Sequence, residues 1–337
     1  MFRIWLIAVV VYFGWATVKA AEPMTKPVEK FFSLQYENDL FTSDNRDRYY
    51  TSGLQLSLLE RGKPLKWLEN IASWTPFYQG VASDQTWMQY SFGQKIFTPE
   101  DTQAVEVQVS DRPYAGYLYF TSSIMSRISQ EENYDYGNQF EVTLGVVGPS
   151  ALGEQAQTTV HKIIGSDIPN GWDNQLKDEL ALGVSYSRFW RLRYPLQNGL
   201  EFGVNPQLTG VVGNVYTYGA FGSMLRFGSN LKRDFSPPTI RPGFLGVNYF
   251  QKSQQSSWYG FLGVEGRAVL RDIFLDGNSF VESHRVEKET FVGDIQYGFV
   301  YIFENVRLSY SQMIRTNEFT TQQNMTHYGL LNVSVRY

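Results

Sequence analysis

Leu331-Asn332-Val333-Ser334-Val335-Arg336-Tyr337, the last seven residues of the chain, alternate apolar and polar and finish on an aromatic ring. A repeat of two puts one row of side chains on each face of a strand. The same pattern recurs in Leu54-Gln55-Leu56-Ser57-Leu58, Phe140-Glu141-Val142-Thr143-Leu144-Gly145-Val146, Leu200-Glu201-Phe202-Gly203-Val204-Asn205 and Ile295-Gln296-Tyr297-Gly298-Phe299. Two architectures accept such strands. A soluble sandwich buries the apolar rows. A membrane barrel turns them to lipid and keeps a polar interior. The polar rows here carry Glu141, Glu201, Glu265, Arg267, Asp294 and Arg307, and tyrosine and tryptophan crowd the strand ends as in interfacial girdles. Bacterial outer-membrane barrels commonly finish on such an aromatic-ended strand, because the last strand must pair with the first. The fold class expected is therefore all-β: a transmembrane antiparallel β-barrel in the outer membrane of a Gram-negative bacterium.

Composition agrees. The 337 residues include 24 Phe, 22 Tyr and 8 Trp, with only 18% charged residues, which argues against disorder. The absence of cysteine excludes disulfide scaffolds, thiolate metal sites and cysteine nucleophiles. A net charge of -4 gives no footprint for nucleic acid. Met1-Phe2-Arg3, the apolar run Ile4 to Ala16 and Val18-Lys19-Ala20 have the form of a secretory signal peptide over residues 1–20, leaving an outer-membrane barrel domain at 21–337. The alternative is an uncleaved anchor, although the run is short for a membrane-spanning helix.

Twelve strands are expected, at 31–38, 49–60, 86–97, 113–126, 136–148, 180–194, 199–211, 214–227, 256–270, 289–303, 305–316 and 326–337. An even count suits a single-chain bacterial barrel with both termini in the periplasm, so the odd connections face outward. Residues 64–71 read as a short amphipathic helix, 153–164 as a clearer helix stopped by Gly165 on the extracellular side, and 228–255 as an irregular proline-containing loop. The unusual polar motifs gather at the outward end, more than a pore requires.

His161 lies in that second helix, bordering a stripe of Ala156, Val160 and Ile164 expected to pack on the barrel. A neutral imidazole can take a proton from water near neutral pH, although a lone histidine is also an ordinary helix residue. Asn38 and Asp39 end the first strand and Thr51 opens the second, so a hairpin brings their tips together. By parity Asp39 and Thr51 face the interior while Asn38 points the other way, unless a bulge intervenes. An Asp with amide and hydroxyl oxygens suits Ca2+, with Asp39 as ligand; an Asx-rich turn is the plainer reading. Arg112, in Asp111-Arg112-Pro113-Tyr114, could hold a substrate phosphate or form a rim salt bridge. No Gly-x-Ser-x-Gly elbow, P-loop or His-Glu-x-x-His helix occurs.

Taken in order, Tyr36-Glu37-Asn38-Asp39, Asp47-Arg48-Tyr49-Tyr50-Thr51-Ser52-Gly53-Leu54, Asp111-Arg112-Pro113-Tyr114-Ala115-Gly116, Val160-His161-Lys162-Ile163-Ile164-Gly165, Gly171-Trp172-Asp173-Asn174-Gln175 and Phe274-Leu275-Asp276-Gly277-Asn278 resemble the LpxR-type lipid A deacylases. The resemblance spans residues 31–337. It implies a twelve-stranded, monomeric outer-membrane barrel that hydrolyses the 3′-linked acyloxyacyl ester of lipid A with Ca2+. Carried over by motif, the functional residues are Asn38, Asp39, Thr51 and His161. The family's functional lysine has no counterpart in 98–110, which contains no lysine or arginine. A phospholipase-type acyl hydrolase and a non-enzymatic porin are the alternatives.

Overall fold

In a computed structural model of the chain, twelve antiparallel strands close into one barrel. The structure describes residues 29–41, 49–62, 64–74, 86–237, 239–240, 242 and 247–337. The expected signal peptide and the motif residues 44–48 lie outside them. The strands are β1 (Lys30–Asn38), β2 (Tyr49–Arg61), β3 (Thr86–Thr98), β4 (Ala115–Glu131), β5 (Tyr134–Val147), β6 (Glu179–Pro195), β7 (Leu200–Gly213), β8 (Tyr216–Ser229), β9 (Ser253–Asp272), β10 (Phe291–Glu304), β11 (Val306–Arg315) and β12 (Thr326–Arg336). Each expected strand is found, with ends moved by a few residues. The helices are α1 (Lys66–Ala72), α2 (Gly153–Ile164) and α3 (Ile273–Asp276).

The seam that makes the barrel possible joins β1 to β12, from Phe31 opposite Arg336 to Asn38 opposite Gly329. Closure leaves no strand edge, so every strand can satisfy its backbone groups within the wall. Side chains then sort by parity. Leu54, Leu56 and Leu58 stand exposed on the outside of β2, as do Phe92, Phe120, Leu144, Leu182, Leu262, Ile295, Leu331 and Val333 elsewhere. Gln35, Ser57, Ser91, Arg191, Glu265, Arg267, Asp294 and Arg307 are buried on the inside. This inverts a soluble protein and is the pattern of a membrane barrel.

The loop between β8 and β9 is irregular, as expected, but its course was not foreseen. It enters from the end opposite the odd connections and folds into the lumen, where Thr239, Ile240 and Asn248 line a cavity with inward residues of β2 to β8. Asp234 anchors it: its carboxylate accepts from Arg307 Nη1 at 2.8 Å and from Tyr259 Oη at 2.6 Å, while its carbonyl accepts from Arg191 and Arg226. Tyr249 and Phe250 pack on Phe31, and Tyr249 also meets Trp87. Farther along the barrel axis, the Ile240 amide donates to Glu37 Oε1 at 3.1 Å, and Arg315 donates to the Pro242 carbonyl. Glu37 and Arg315 lie near the outward ends of their strands, so the segment spans the lumen. A polar interior must pair its polar groups, and this segment supplies partners beside those within the wall.

On the outside, α2 stands against β3 and β4 near the outward rim. Gln94 of β3 donates to the Ala151 carbonyl at 2.7 Å, just ahead of the helix. A Cβ at Gly116 of β4 would lie 3.0 Å from the Gly153 amide nitrogen, so backbone meets backbone there. Gly153, Gln157 and His161 form the buried stripe. The apolar stripe was expected to take that place. Of that stripe Ala156 does pack, against Ile96, Tyr114 and Trp172, while Val160 and Ile164 are exposed.

Two outcomes follow. Both members of the Asp234–Arg307 pair are fully buried. Asp234→Ala should therefore lower stability by about 3–5 kcal/mol, read from denaturant unfolding in micelles. Leu at 234 with Met at 307 should recover much of that loss. Gly116→Val overpacks the helix seat at a cost of about 1–3 kcal/mol. It should speed hydrogen exchange of the α2 amides while those of the strands stay protected.

Candidate active site

Asn38 closes β1, opposite Ser52 of β2. Its parity is that of Leu34 and Tyr36, so it lies on the outer face as expected, yet it is buried. Its Nδ2 donates to the Thr51 carbonyl at 3.0 Å. Thr51 was expected to face the interior with Gln55 and Ser57. The structure overturns that reading, because β2 carries a bulge at this point: Tyr50 opposes Phe97, Ser52 opposes Ile96, and Thr51 is the extra residue. One inserted residue resets the alternation. Tyr50 stays inside, donating to Glu37 Oε2 at 2.6 Å. The Thr51 hydroxyl meets the Thr98 hydroxyl at 2.8 Å. Thr98 follows the inward ring of Phe97, which stacks on Phe274, so the pair of hydroxyls lies on the outer side with Asn38.

Asp39 was also expected to face in. Strand parity ends before it, since Asp39–Phe41 is a 3-10 turn. That turn folds over the outer wall. Phe41 covers Gly329, its ring meets Tyr36 at 5.6 Å, and its carbonyl accepts from Gln312. Asp39 is buried at the start of this turn.

His161 is in the last turn of α2 and is 7% exposed. Its Nδ1 lies 2.6 Å from the Asp167 carbonyl oxygen. A carbonyl can only accept, so Nδ1 carries the proton and Nε2 is the basic nitrogen of the neutral ring. The local sequence builds this contact. Gly165 takes a left-handed φ of 75°, and the amides of Gly165 and Ser166 both return to the His161 carbonyl. The chain reverses there and brings Asp167 back to the ring. One turn earlier, the buried Gln157 accepts from Trp172 Nε1 at 2.9 Å, and Trp172 packs on Tyr114. Ile96, Tyr114 and Trp172 form one cluster, with Ala156 of α2 against it. The helix that carries His161 thus stands on β3, whose end carries Thr98.

Gln157, Trp172 and Thr98 were not singled out for the site. Gln157 could have been, since it precedes His161 by four residues and shares its helix face. Thr98 leaves no signal, because its meeting with Thr51 depends on cross-strand register. Asp276-Gly277-Asn278 joins outward loops. The Asn278 side chain bonds both the amide and the carbonyl of Lys177, tying two outward loops together. His284 Nε2 lies 2.7 Å from the Asp111 carbonyl and ties a third. The Asp111 carboxylate accepts from the amides of Glu100 and Arg112, and burial raises its pKa above the ordinary value.

Arg112 does not join the group. Its guanidinium is fully buried, 4.7 Å over Phe97 and 3.3 Å from Glu318. Phe97 faces the lumen, so Arg112 braces the inner rim and points away from the outer-wall cluster. For a cation, the donors near Asn38 are all oxygens: the Asp39 carboxylate, the Asn38 amide, hydroxyls and backbone carbonyls. That chemistry fits Ca2+ and not a soft metal. Among the described residues, no three His, Cys, Asp or Glu side chains converge. Asp39 would be the single carboxylate, with neutral oxygens completing the shell.

Comparison with known proteins gives one family. The model of the family described as "Outer membrane protein LpxR" matches residues 4–337. Among solved structures, LpxR from Salmonella typhimurium superposes with a TM-score of 0.69 at 21% identity, covering 90% of this chain and 99% of that one. The β domain of the Bordetella autotransporter BrkA reaches a TM-score of only 0.46 at 11% identity, with 92% and 98% covered. No curated protein matches the sequence significantly. With a twelve-stranded barrel whose apolar rows face outward and a family match over nearly its whole length, the chain belongs to the LpxR family of outer-membrane proteins.

Proposed function

We propose that this protein is a lipid A 3′-O-deacylase, hydrolysing the 3′-linked acyloxyacyl ester of lipopolysaccharide in the outer leaflet. The observation that carries this reading is the placement of His161. Its Nδ1 is committed to the Asp167 carbonyl, and its helix stands on the same outer wall as Asn38 and Thr51. A site on the outside of the wall is reached from the leaflet, and membership of the LpxR family makes lipid A the substrate to test first.

In this mechanism His161 Nε2 takes a proton from water as the oxygen attacks the ester carbonyl. The imidazolium then gives the proton to the departing 3′ oxygen as the C–O bond breaks, leaving a sugar hydroxyl and releasing the acyloxyacyl chain as a carboxylic acid, which loses its own proton to water. The Asp167 carbonyl keeps the ring in the required tautomer throughout. Asn38 and Thr51, cross-linked through backbone and side chain, hold the rim rigid and present polar groups to the developing charge. When bound, Ca2+ held by Asp39 would supply positive charge for the carbonyl oxygen. A passive porin is disfavoured, since the β8–β9 segment occupies the lumen.

Mass spectrometry of lipid A from cells with and without the gene is the direct test. Loss of one acyloxyacyl chain is expected when the gene is present. Altered phospholipids with intact lipid A would favour a phospholipase instead. His161→Ala should slow acyl release at least ~10²-fold, as removal of a general base does. A chelator should abolish release and added Ca2+ should restore it; activity unchanged in chelator would remove the cation from the scheme.

A further inference from the structure

Helix α2 has three sides. Gly153, Gln157 and His161 face the protein. Glu154, Gln155 and Lys162 are exposed and polar. Val160, Ile163 and Ile164 are exposed and apolar, at 43%, 66% and 51%. At about 100° per residue, these three fall within an arc of about 100°, centred roughly opposite the polar trio. Exposed branched apolar residues so ordered mark a helix at an interface between water and hydrocarbon. Leu152, just before the helix, is exposed as well.

Strand register gives the depth. Gln94, which holds the carbonyl of Ala151, lies opposite Leu54 on β2 and Leu118 on β4. Leu54 belongs to the exposed leucine row that continues through Leu56 and Leu58. The helix therefore begins beside the outward end of the exposed apolar row that runs along β2, on the outer face of β3 and β4.

We propose that the Val160–Ile163–Ile164 side of α2 is immersed among the acyl chains of the outer leaflet, with Glu154, Gln155 and Lys162 turned to water. The occupant of this face is membrane lipid itself. The immersion stands on geometry alone. Its consequence for catalysis rests on the deacylase reading: the helix that carries His161 is held at the depth where a lipid's ester bonds lie, and substrate enters sideways from the leaflet.

The cysteine-free chain makes the test clean, because any introduced cysteine is the only one. Nitroxide labels would be placed singly at Ile163→Cys and Ile164→Cys. Leu54→Cys serves as the hydrocarbon reference and Glu154→Cys as the aqueous one. The full-length protein is reconstituted in vesicles containing lipopolysaccharide, and label accessibility to oxygen and to a water-soluble nickel chelate is measured. Labels at 163 and 164 should match Leu54, with an oxygen-to-nickel ratio several-fold above that at 154. Labels that match 154 overturn the proposal. Wild-type protein in the same vesicles is assayed for acyl release. Hydrocarbon-exposed labels without release would sink the deacylase reading alone, and release with water-exposed labels would sink the immersion alone.

Discussion

Hydrocarbon is the solvent for the outer wall, and the rest of the structure follows from that constraint. A backbone that cannot bond to water must bond to itself, which requires the β1–β12 seam. The wall then turns leucine, valine and phenylalanine outward, and the alternating polar residues have only the lumen to occupy. There they need partners. Arg191 pairs with Asp135, Arg267 and Arg315 with Asp294, and Arg307 with Asp234. Arg191 and Arg226 also reach the carbonyl of Asp234. Most of these pairs lie within the wall; the plug adds Asp234 as a further partner, its Phe235 and Tyr249 rings pack against each other, and Tyr249 and Phe250 pack against Phe31.

The wall obeys its alternation rigidly except at the rim, where β2 begins. Tyr49 has a positive φ of 64°, uncommon for a residue with a bulky side chain, and Thr51 is the extra residue of a bulge two positions later. The ring of Tyr49 meets Phe319 edge-on at 5.8 Å, buried among outward loops that hold the strained backbone in place. Regular pairing would send Thr51 into the lumen. The irregularity puts its hydroxyl on the outer side and leaves its carbonyl for Asn38. Local strain here sets the placement of two groups of the candidate site, a pattern common where geometry must depart from the regular ladder.

The strands and their number were legible because period two survives in nearly every one of them, and α2 was legible because Gly165 stops it. What parity could not see was a single insertion. The residues Tyr50-Thr51-Ser52 carry no mark that distinguishes a bulge from a plain strand, so the predicted facing of Thr51 was reversed. The β8–β9 plug was equally opaque. Residues 230–252 have no periodicity, and their partners, Glu37, Gln89, Arg191, Arg307 and Arg315, are far away in sequence. The face of α2 was misread for another reason. The rule that apolar side chains pack inward assumes water outside, and on this wall it holds for Ala156 but not for Val160 and Ile164.

Glu37 and Asn38 join these two halves of the molecule. They are consecutive residues of one strand, so they point to opposite sides of the wall. Glu37 accepts from Gln35, Tyr50 and the amide of Ile240 in the plug. Asn38, one peptide bond away, holds the carbonyl of Thr51. A rotation of the backbone that moved Asn38 would also strip Glu37 of its three donors inside the barrel. Breaking buried, charge-assisted hydrogen bonds costs more than a surface contact can return. From within, the plug therefore helps to fix the strand end whose outer side carries the candidate site.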